Sequence, residues 1–197
     1  MKRLERAAAA GKVRIIGGSL RGSKLAVPDL PGLRPTPDRV RETLFNWLMP
    51  IIDGARCLDL FAGTGALGIE ALSRGAAWVD FVETDPGLAQ SLRDNLARLK
   101  QAHAAVCSGD SLSLLRAAPA QPYDIAFVDP PFSSGVWEDA ARALEANGWL
   151  RDNAMIYLEM AADSTPALPP GWSLYKQSTA GSVRFALYRR QGASAKL

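Results

Sequence analysis

Short apolar runs alternate along most of the chain with longer stretches whose apolar positions recur every three or four residues. From Ala55 onward the runs ARCLDLF, WVDFVE, HAAVC and YDIAFVD are followed in turn by ALGIEALSR, PGLAQSLRDNLARLK, SLSLLRAA and VWEDAARALEAN, after which comes AMIYLEM. Strand then helix, repeated, predicts a parallel sheet flanked by helices, and nearly continuous apolar runs suit strands buried on both faces. The last two runs, GWSLYKQS and SVRFALYRR, have only Thr179-Ala180-Gly181 between them and predict an antiparallel hairpin. The expected architecture is an open α/β fold, a mostly parallel seven-stranded sheet closed by an antiparallel C-terminal hairpin.

Upstream, the β-formers of 13–16 and 24–27 surround Gly17-Gly18-Ser19-Leu20-Arg21-Gly22 and predict a small N-terminal hairpin. Four prolines between Pro28 and Pro37 predict an extended linker. A helix is then expected from Thr36 or Asp38 to about Leu48, with Val40, Leu44, Phe45 and Leu48 on one face and Arg39 and Glu42 off it. The organisation that follows is a flexible basic N-terminus (1–12), a hairpin, linker and helix (13–52), a main domain (53–190) and a frayed tail (191–197).

Composition narrows the class without identifying it. The 197 residues are 48% apolar and 22% charged, enough to bury a core without disulfides or a structural metal. The two cysteines, Cys57 and Cys107, lie in apolar runs, where a free thiol behaves as a small hydrophobe; two Cys and one His cannot make a four-ligand zinc site. A reducing, cytoplasmic setting is expected. The apolar stretch Ala7–Ala10 is too short for a signal peptide, and no run approaches a membrane span. We expect a monomer.

Charge is unevenly divided. Residues 1–50 carry ten Lys/Arg against four acids, a net of +6, and the rest carry thirteen against sixteen, a net of −3. Such asymmetry suggests that the first quarter meets a polyanion, with Arg14 to Arg41 favouring nucleic acid and residues 1–12 a solubilising arm.

Three acidic positions and a glycine bend lie where strands meet helices. Asp59-Leu60-Phe61-Ala62-Gly63-Thr64-Gly65-Ala66-Leu67-Gly68 sets G-x-G-x-x-G between a strand and its helix, a bend suited to dinucleotides and S-adenosylmethionine alike. Glu83 ends the second strand, where a carboxylate can accept both ribose hydroxyls; Asp85, just beyond, is the second choice but also suits a helix N-cap before Pro86. Asp110 suits either a hydrogen bond from an adenine amine or capping of the following helix. The sharpest signal is Asp129-Pro130-Pro131-Phe132. Two prolines remove backbone donors and stiffen the chain, so the Asp129 carboxylate and the Pro130 carbonyl can accept from one planar NH2 group while Phe132 offers a stacking face.

Taken together, RPTPDRVRETLFNWL (34–48), DLFAGTGALGIEALSRGA (59–76), FVETD (81–85) and FVDPPF (127–132) resemble the RsmD family of bacterial 16S ribosomal RNA guanine-N2 methyltransferases, over about residues 13–190. The resemblance implies a Rossmann-like methyltransferase fold, S-adenosylmethionine as donor, and a guanine of 16S rRNA, in the small subunit or its assembly intermediate, as acceptor. It assigns Asp59, Phe61, Gly63, Gly65, Glu83, Asp110 and Ser111 to the cofactor, with Asp59 at its amino-acid end, Glu83 on the ribose and Asp110 on the adenine. Asp129, Pro130 and Phe132 fall to the guanine, and Arg14, Arg21, Arg34, Arg39 and Arg41 to the RNA.

Rival readings remain at this level. An adenine-N6 or protein-glutamine methyltransferase could use the same turn, a nicotinamide dehydrogenase would use the glycine bend and Glu83, and an inactive RNA-binding module would need neither. Gly109-Asp110-Ser111-Leu112 spells an esterase motif, but the single His103 precedes Ser111 and opens an apolar strand, where it reads as a strand-edge residue.

Overall fold

A computed structural model describes residues 12–27, 36–131 and 135–192. Residues 1–11 of the expected flexible N-terminus, most of the proline-rich linker, Arg34, Phe132 and most of the C-terminal tail lie outside the described residues, while Lys12, expected in the flexible arm, begins the first strand.

The alternating pattern folds as expected. Strands β3 (Arg56–Asp59), β4 (Trp78–Glu83), β5 (Ala104–Ser108), β6 (Tyr123–Val128) and β7 (Leu150–Ala161) run parallel, and β8 (Trp172–Ala180) and β9 (Val183–Arg190) close the sheet as an antiparallel hairpin. The order is β5-β4-β3-β6-β7-β9-β8, so the chain leaves β3 first toward one edge and then, with β6, toward the other. Side-chain alternation divides the core in two. Cys57, Val79, Phe81, Ile125, Phe127 and Tyr157 face α1 (Asp38–Leu48), α2 (Ala66–Ser73) and α3 (Pro86–Arg98), whereas Leu58, Val82, Ala126, Val128, Ile156 and Leu158 face α5 (Trp137–Ala146) and the short α4 (Ser111–Leu114).

Two expectations need correction. SLSLLRAA makes only the single turn of α4, capped by Asp110. HAAVC is not buried on both faces: β5 is an edge strand whose residues are mostly exposed, and Cys107 with them, while Cys57 is fully buried. Small Ala, Val and Cys side chains give the same apolar run whether a strand sits at the centre or the edge.

Helix α1 buries Val40, Leu44, Phe45 and Leu48, as the periodicity requires, and Arg41 with them. Its Phe45 meets Phe127 of β6 with ring centroids 5.9 Å apart, and Trp47 stacks on Phe185 at 5.4 Å. The hairpin β1 (Lys12–Arg14) and β2 (Lys24–Ala26) buries Val13, Ile15, Leu25 and Val27 in the core shared with α1, α2 and α3, and polar contacts to its backbone fix it in place. The Glu70 carboxylate on α2 accepts from the Ile16 and Gly17 amides, both at 2.8 Å, and from Arg74 Nε at 2.8 Å; Arg41 Nη1 lies 3.7 Å away. Ser73 donates to the Gly17 carbonyl and accepts from the Leu20 amide, and Asn95 of α3 bonds both the amide and the carbonyl of Ala26. Glu70 and Arg41 are both fully buried. Replacing Glu70 by Ala would leave two amides unpaired and remove the buried one of the two carboxylates beside Arg41. Glu70→Ala is expected to lose about 3–5 kcal/mol in urea unfolding, and Glu70→Gln clearly less because its amide oxygen can still accept.

Candidate active site

The functional side chains gather where the parallel strands end, because the glycine bend and the turn after β6 leave from adjacent strands. Asp59 pairs across the sheet with Phe127, the Leu60 amide donates to the Phe127 carbonyl at 3.0 Å, and the Ala62 amide donates to the Val82 carbonyl at 2.9 Å. The bend is thus held between the ends of β4 and β6. Gly65 takes a left-handed conformation (φ 76°) as it enters α2, and a Cβ there would lie 2.3 Å from Leu92. Gly68 brings α2 against β4 so closely that a Cβ would lie 2.1 Å from the Phe81 ring.

Gly65 has no capping side chain, and Asp59 supplies the missing acceptor from the strand. Its Oδ2 accepts from the Gly68 amide at 2.9 Å. Asp59 is nevertheless pushed up to about 7: burial is the largest cause, the Gly68 bond opposes it, and the Glu83 charge adds to it. Glu83 spans the mouth of the bend, one oxygen accepting from the Gly63 amide at 2.7 Å and the other from the Asp85 amide at 2.8 Å. Asp85 itself caps α3 by accepting from the Leu88 amide at 2.8 Å, directly before Pro86. Asp110 is exposed; the Ser113 side chain first, and then the Ser113 amide that donates to it at 2.8 Å, hold its carboxyl below the ordinary range.

Asp129 follows β6 and is partly exposed, with Pro130 buried behind it. Thr36 Oγ1 donates to Asp129 Oδ2 at 3.1 Å. Burial above all, then the charge of Glu159, holds the Asp129 carboxyl well above the usual range; the Thr36 bond lowers it and Asp59 raises it further. The site is therefore a row of mutually repelling carboxylates, Glu83, Asp59, Asp129 and Glu159, along one sheet edge. Such a row suits a cationic ligand.

Other expected site residues fall differently. Phe61 is half-buried beside the bend. Ser111, expected at the cofactor, is buried and donates its hydroxyl to the Leu60 carbonyl at 2.5 Å, fastening α4 to the exit of β3. This internal bond, and the place of His103 at the opposite end of β5, also remove the esterase reading. Arg14, Arg21 and Arg39 are exposed; Arg14 Nη2 lies 3.4 Å from Asp38. Arg41 is not available to RNA: it is fully buried and donates to the carbonyls of Thr36 and Arg14 at 3.2 and 2.9 Å and to Asp38 at 2.6 Å. Its position three, four and seven residues before Leu44, Phe45 and Leu48 carried that signal. Thr36, Glu70 and Glu159 were not singled out from the sequence. A lone glutamate within the apolar runs ALGIEALS and AMIYLEM is the pattern that marks the last two.

Comparison with known proteins agrees with the geometry. The profile of the family described as "Conserved hypothetical protein 95" matches residues 13–189. The "Ribosomal RNA small subunit methyltransferase D" of Escherichia coli K12 is 53% identical over 182 residues, covering 92% of this chain and 91% of that protein. Its namesake in Haemophilus influenzae is 47% identical over 192 residues, 96% of this chain and all of the relative. A solved structure, "Putative methyltransferase yhhF from Escherichia coli", superposes with a TM-score of 0.85 at 49% identity, covering 92% of this chain and 99% of that one. Since the match takes in the N-terminal hairpin as well as the whole sheet, the chain belongs to the RsmD family of methyltransferases and carries their Rossmann-like fold.

Proposed function

We propose that this protein transfers a methyl group from S-adenosylmethionine to the exocyclic N2 amine of one guanine in the 16S rRNA of the small ribosomal subunit. The relatives' names supply the ribosomal RNA substrate. The observation that carries the chemistry is Asp129, set at the end of β6 beside the glycine bend, with one carboxylate oxygen held by Thr36 and the other not bonded within the described residues.

The residues present fit the cofactor. Asp59 and Glu83 would provide negative charge for its ammonium and sulfonium and acceptors for its ribose, Phe61, Gly63 and Gly65 would line the approach, and the exposed Asp110 would accept from the adenine amine. When bound, S-adenosylmethionine supplies an electrophilic methyl group on sulfur. Glu83 is preferred to Asp85 on the ribose because it already bridges the bend, whereas Asp85 is committed to the α3 cap.

Asp129 and the Pro130 carbonyl act as acceptors for the two amine hydrogens. The guanine nitrogen is a weak nucleophile because its lone pair is delocalised into the ring; drawing on both hydrogens favours a pyramidal nitrogen and turns the lone pair outward. Phe132 would stack on the base. Most of the rate enhancement is then positioning, which can supply about 7–11 kcal/mol in favourable cases. The base must leave its stack to be reached, so an unpaired RNA segment is the natural target. Exposed Arg14, Arg21 and Arg39, with Arg34, would grip flanking phosphates, making binding strongly salt-dependent.

The direct test is incubation with labelled S-adenosylmethionine and small subunits from a strain lacking the activity, followed by mapping of the modified base. Label on a guanine N2 supports the reading, and label on adenine, on protein or nowhere overturns it. Asp129→Ala is expected to lower turnover by about a hundredfold or more, with cofactor affinity in calorimetry changed by less than about threefold; methylation at the wild-type rate by that variant would remove the amine-positioning role.

Cofactor affinity should also depend on pH. A cation favours ionised Asp59, so below about 7 a proton must leave before binding. The dissociation constant should rise by about tenfold for each pH unit below that value and level off above it. Asp59→Asn should bind more weakly at neutral pH and lose this slope.

A further inference from the structure

The corner after β6 has a second acid beside Asp129 to which the proposed chemistry gives no task. Glu159, on β7, is 6% exposed. The register Val128↔Leu158 places Asp129 and Glu159 side by side, on parallel neighbours whose backbones lie about 4.8 Å apart. The two-residue period turns Glu159, with Tyr157, toward the α1 side of the sheet, the side from which Thr36 reaches Asp129. The backbone here is fixed, since the Trp137 indole N–H donates to the Glu159 carbonyl at 2.8 Å and β9 pairs Phe185 with Glu159.

Each carboxyl is held through one oxygen by one hydroxyl. Thr36 donates to Asp129 Oδ2 at 3.1 Å, and Tyr157 donates to Glu159 Oε2 at 2.7 Å. Asp129 Oδ1 and Glu159 Oε1 accept no hydrogen bond at ordinary distance among the described residues, and neither atom is sealed from solvent. Neither acid has an ion pair with Lys or Arg among the described residues. Such a place is costly for an acid. Burial lifts both carboxyls above their ordinary values, whereas an apolar side chain at position 159 would simply continue the run AMIYL. Two neighbouring acceptor oxygens left without donors suit a ligand that brings two neighbouring donors.

Among the RNA bases guanine has that edge. Its amine is flanked by the ring N1–H, whereas the ring nitrogen beside the adenine or cytosine amine carries a lone pair, which an oxygen acceptor repels. We propose that Glu159 is the residue that selects guanine, its Oε1 accepting from N1–H while Asp129 and the Pro130 carbonyl hold the N2 amine. The proposal rests on the guanine-N2 reading above and adds to it the contact that sets guanine apart from adenine. Tyr157 occupies Oε2 and leaves Oε1 for the base. An ionised carboxylate and the carbonyl oxygen of a neutral carboxyl both accept, so the assignment does not depend on where a proton of the pair resides.

2-Aminopurine separates this contact from the reaction, because it keeps the 2-amine but has a lone pair at N1. Small subunits rebuilt with ligated 16S rRNA, carrying guanine or 2-aminopurine at the mapped position, are compared with labelled S-adenosylmethionine. Wild-type protein is expected to favour guanine in kcat/KM by about a hundredfold or more. Glu159→Gln can turn an amide N–H toward the lone pair, so its preference should shrink to about tenfold or less, through a gain on 2-aminopurine as well as a loss on guanine. Equal methylation of both bases by wild-type protein overturns the proposal without recourse to any variant. So does a Glu159→Gln protein that loses activity on both bases in the same proportion. In either case wild-type protein still methylates guanine, and the reaction assigned above stands. If wild-type protein places no label on guanine in unaltered subunits, that reaction falls and this contact falls with it.

Discussion

Parallel register forces the acids of this sheet into one another's company. Asp59, Glu83, Asp129 and Glu159 each stand at or near the end of a strand in a set of adjacent parallel strands, so they come out at the same edge. An antiparallel arrangement would have sent alternate members to opposite ends. The crowding has a cost in the unliganded protein, where burial and mutual repulsion push Asp59 and Asp129 toward their neutral forms. The same crowding is an advantage once a cation arrives. The glycine bend turns beside this row, its Gly63 amide bonded to Glu83 and the Gly68 amide beyond it to Asp59.

The remaining architecture keeps that edge in shape. Asp59 caps α2 from a distance, because the left-handed Gly65 needed for the bend cannot cap it locally. Glu70 in the same helix gathers the N-terminal hairpin turn and sits beside Arg41, and Arg41 in turn holds the Thr36 carbonyl. Thr36 then reaches Asp129. A continuous set of polar contacts thus runs from the hairpin through a buried arginine to the corner after β6. The N-terminal segment thereby packs against the acidic row, with Arg14, Arg21 and Arg39 exposed.

Much of this was legible in the chain. Strand and helix order, the closing hairpin, the span of α1 and the α3 cap at Asp85 followed from periodicity and from residues whose local chemistry has few uses. What escaped was tertiary. Arg41 was read by its charge, although its spacing put it on the buried stripe; a cation can be internal when carbonyls and a carboxylate surround it, and those partners come from distant segments. Cys107 and its strand were read as interior because an apolar run of small residues does not distinguish an edge from a centre. Ser111 sits in the expected loop, but its hydroxyl is taken by a carbonyl fifty-one residues away.

Glu159 shows why such omissions matter for chemistry. In sequence it is one acid in an apolar strand, a pattern that marks it as unusual but does not point to Asp129, thirty residues away. Only pairing of β6 with β7 brings the two carboxyls together, and only the segment before α1 adds the hydroxyl between them. The electrostatics of Asp129 are therefore set by three segments at once: burial in the corner after β6 and the charge of Glu159 on β7 favour its neutral form, and the hydroxyl of Thr36 ahead of α1 opposes them.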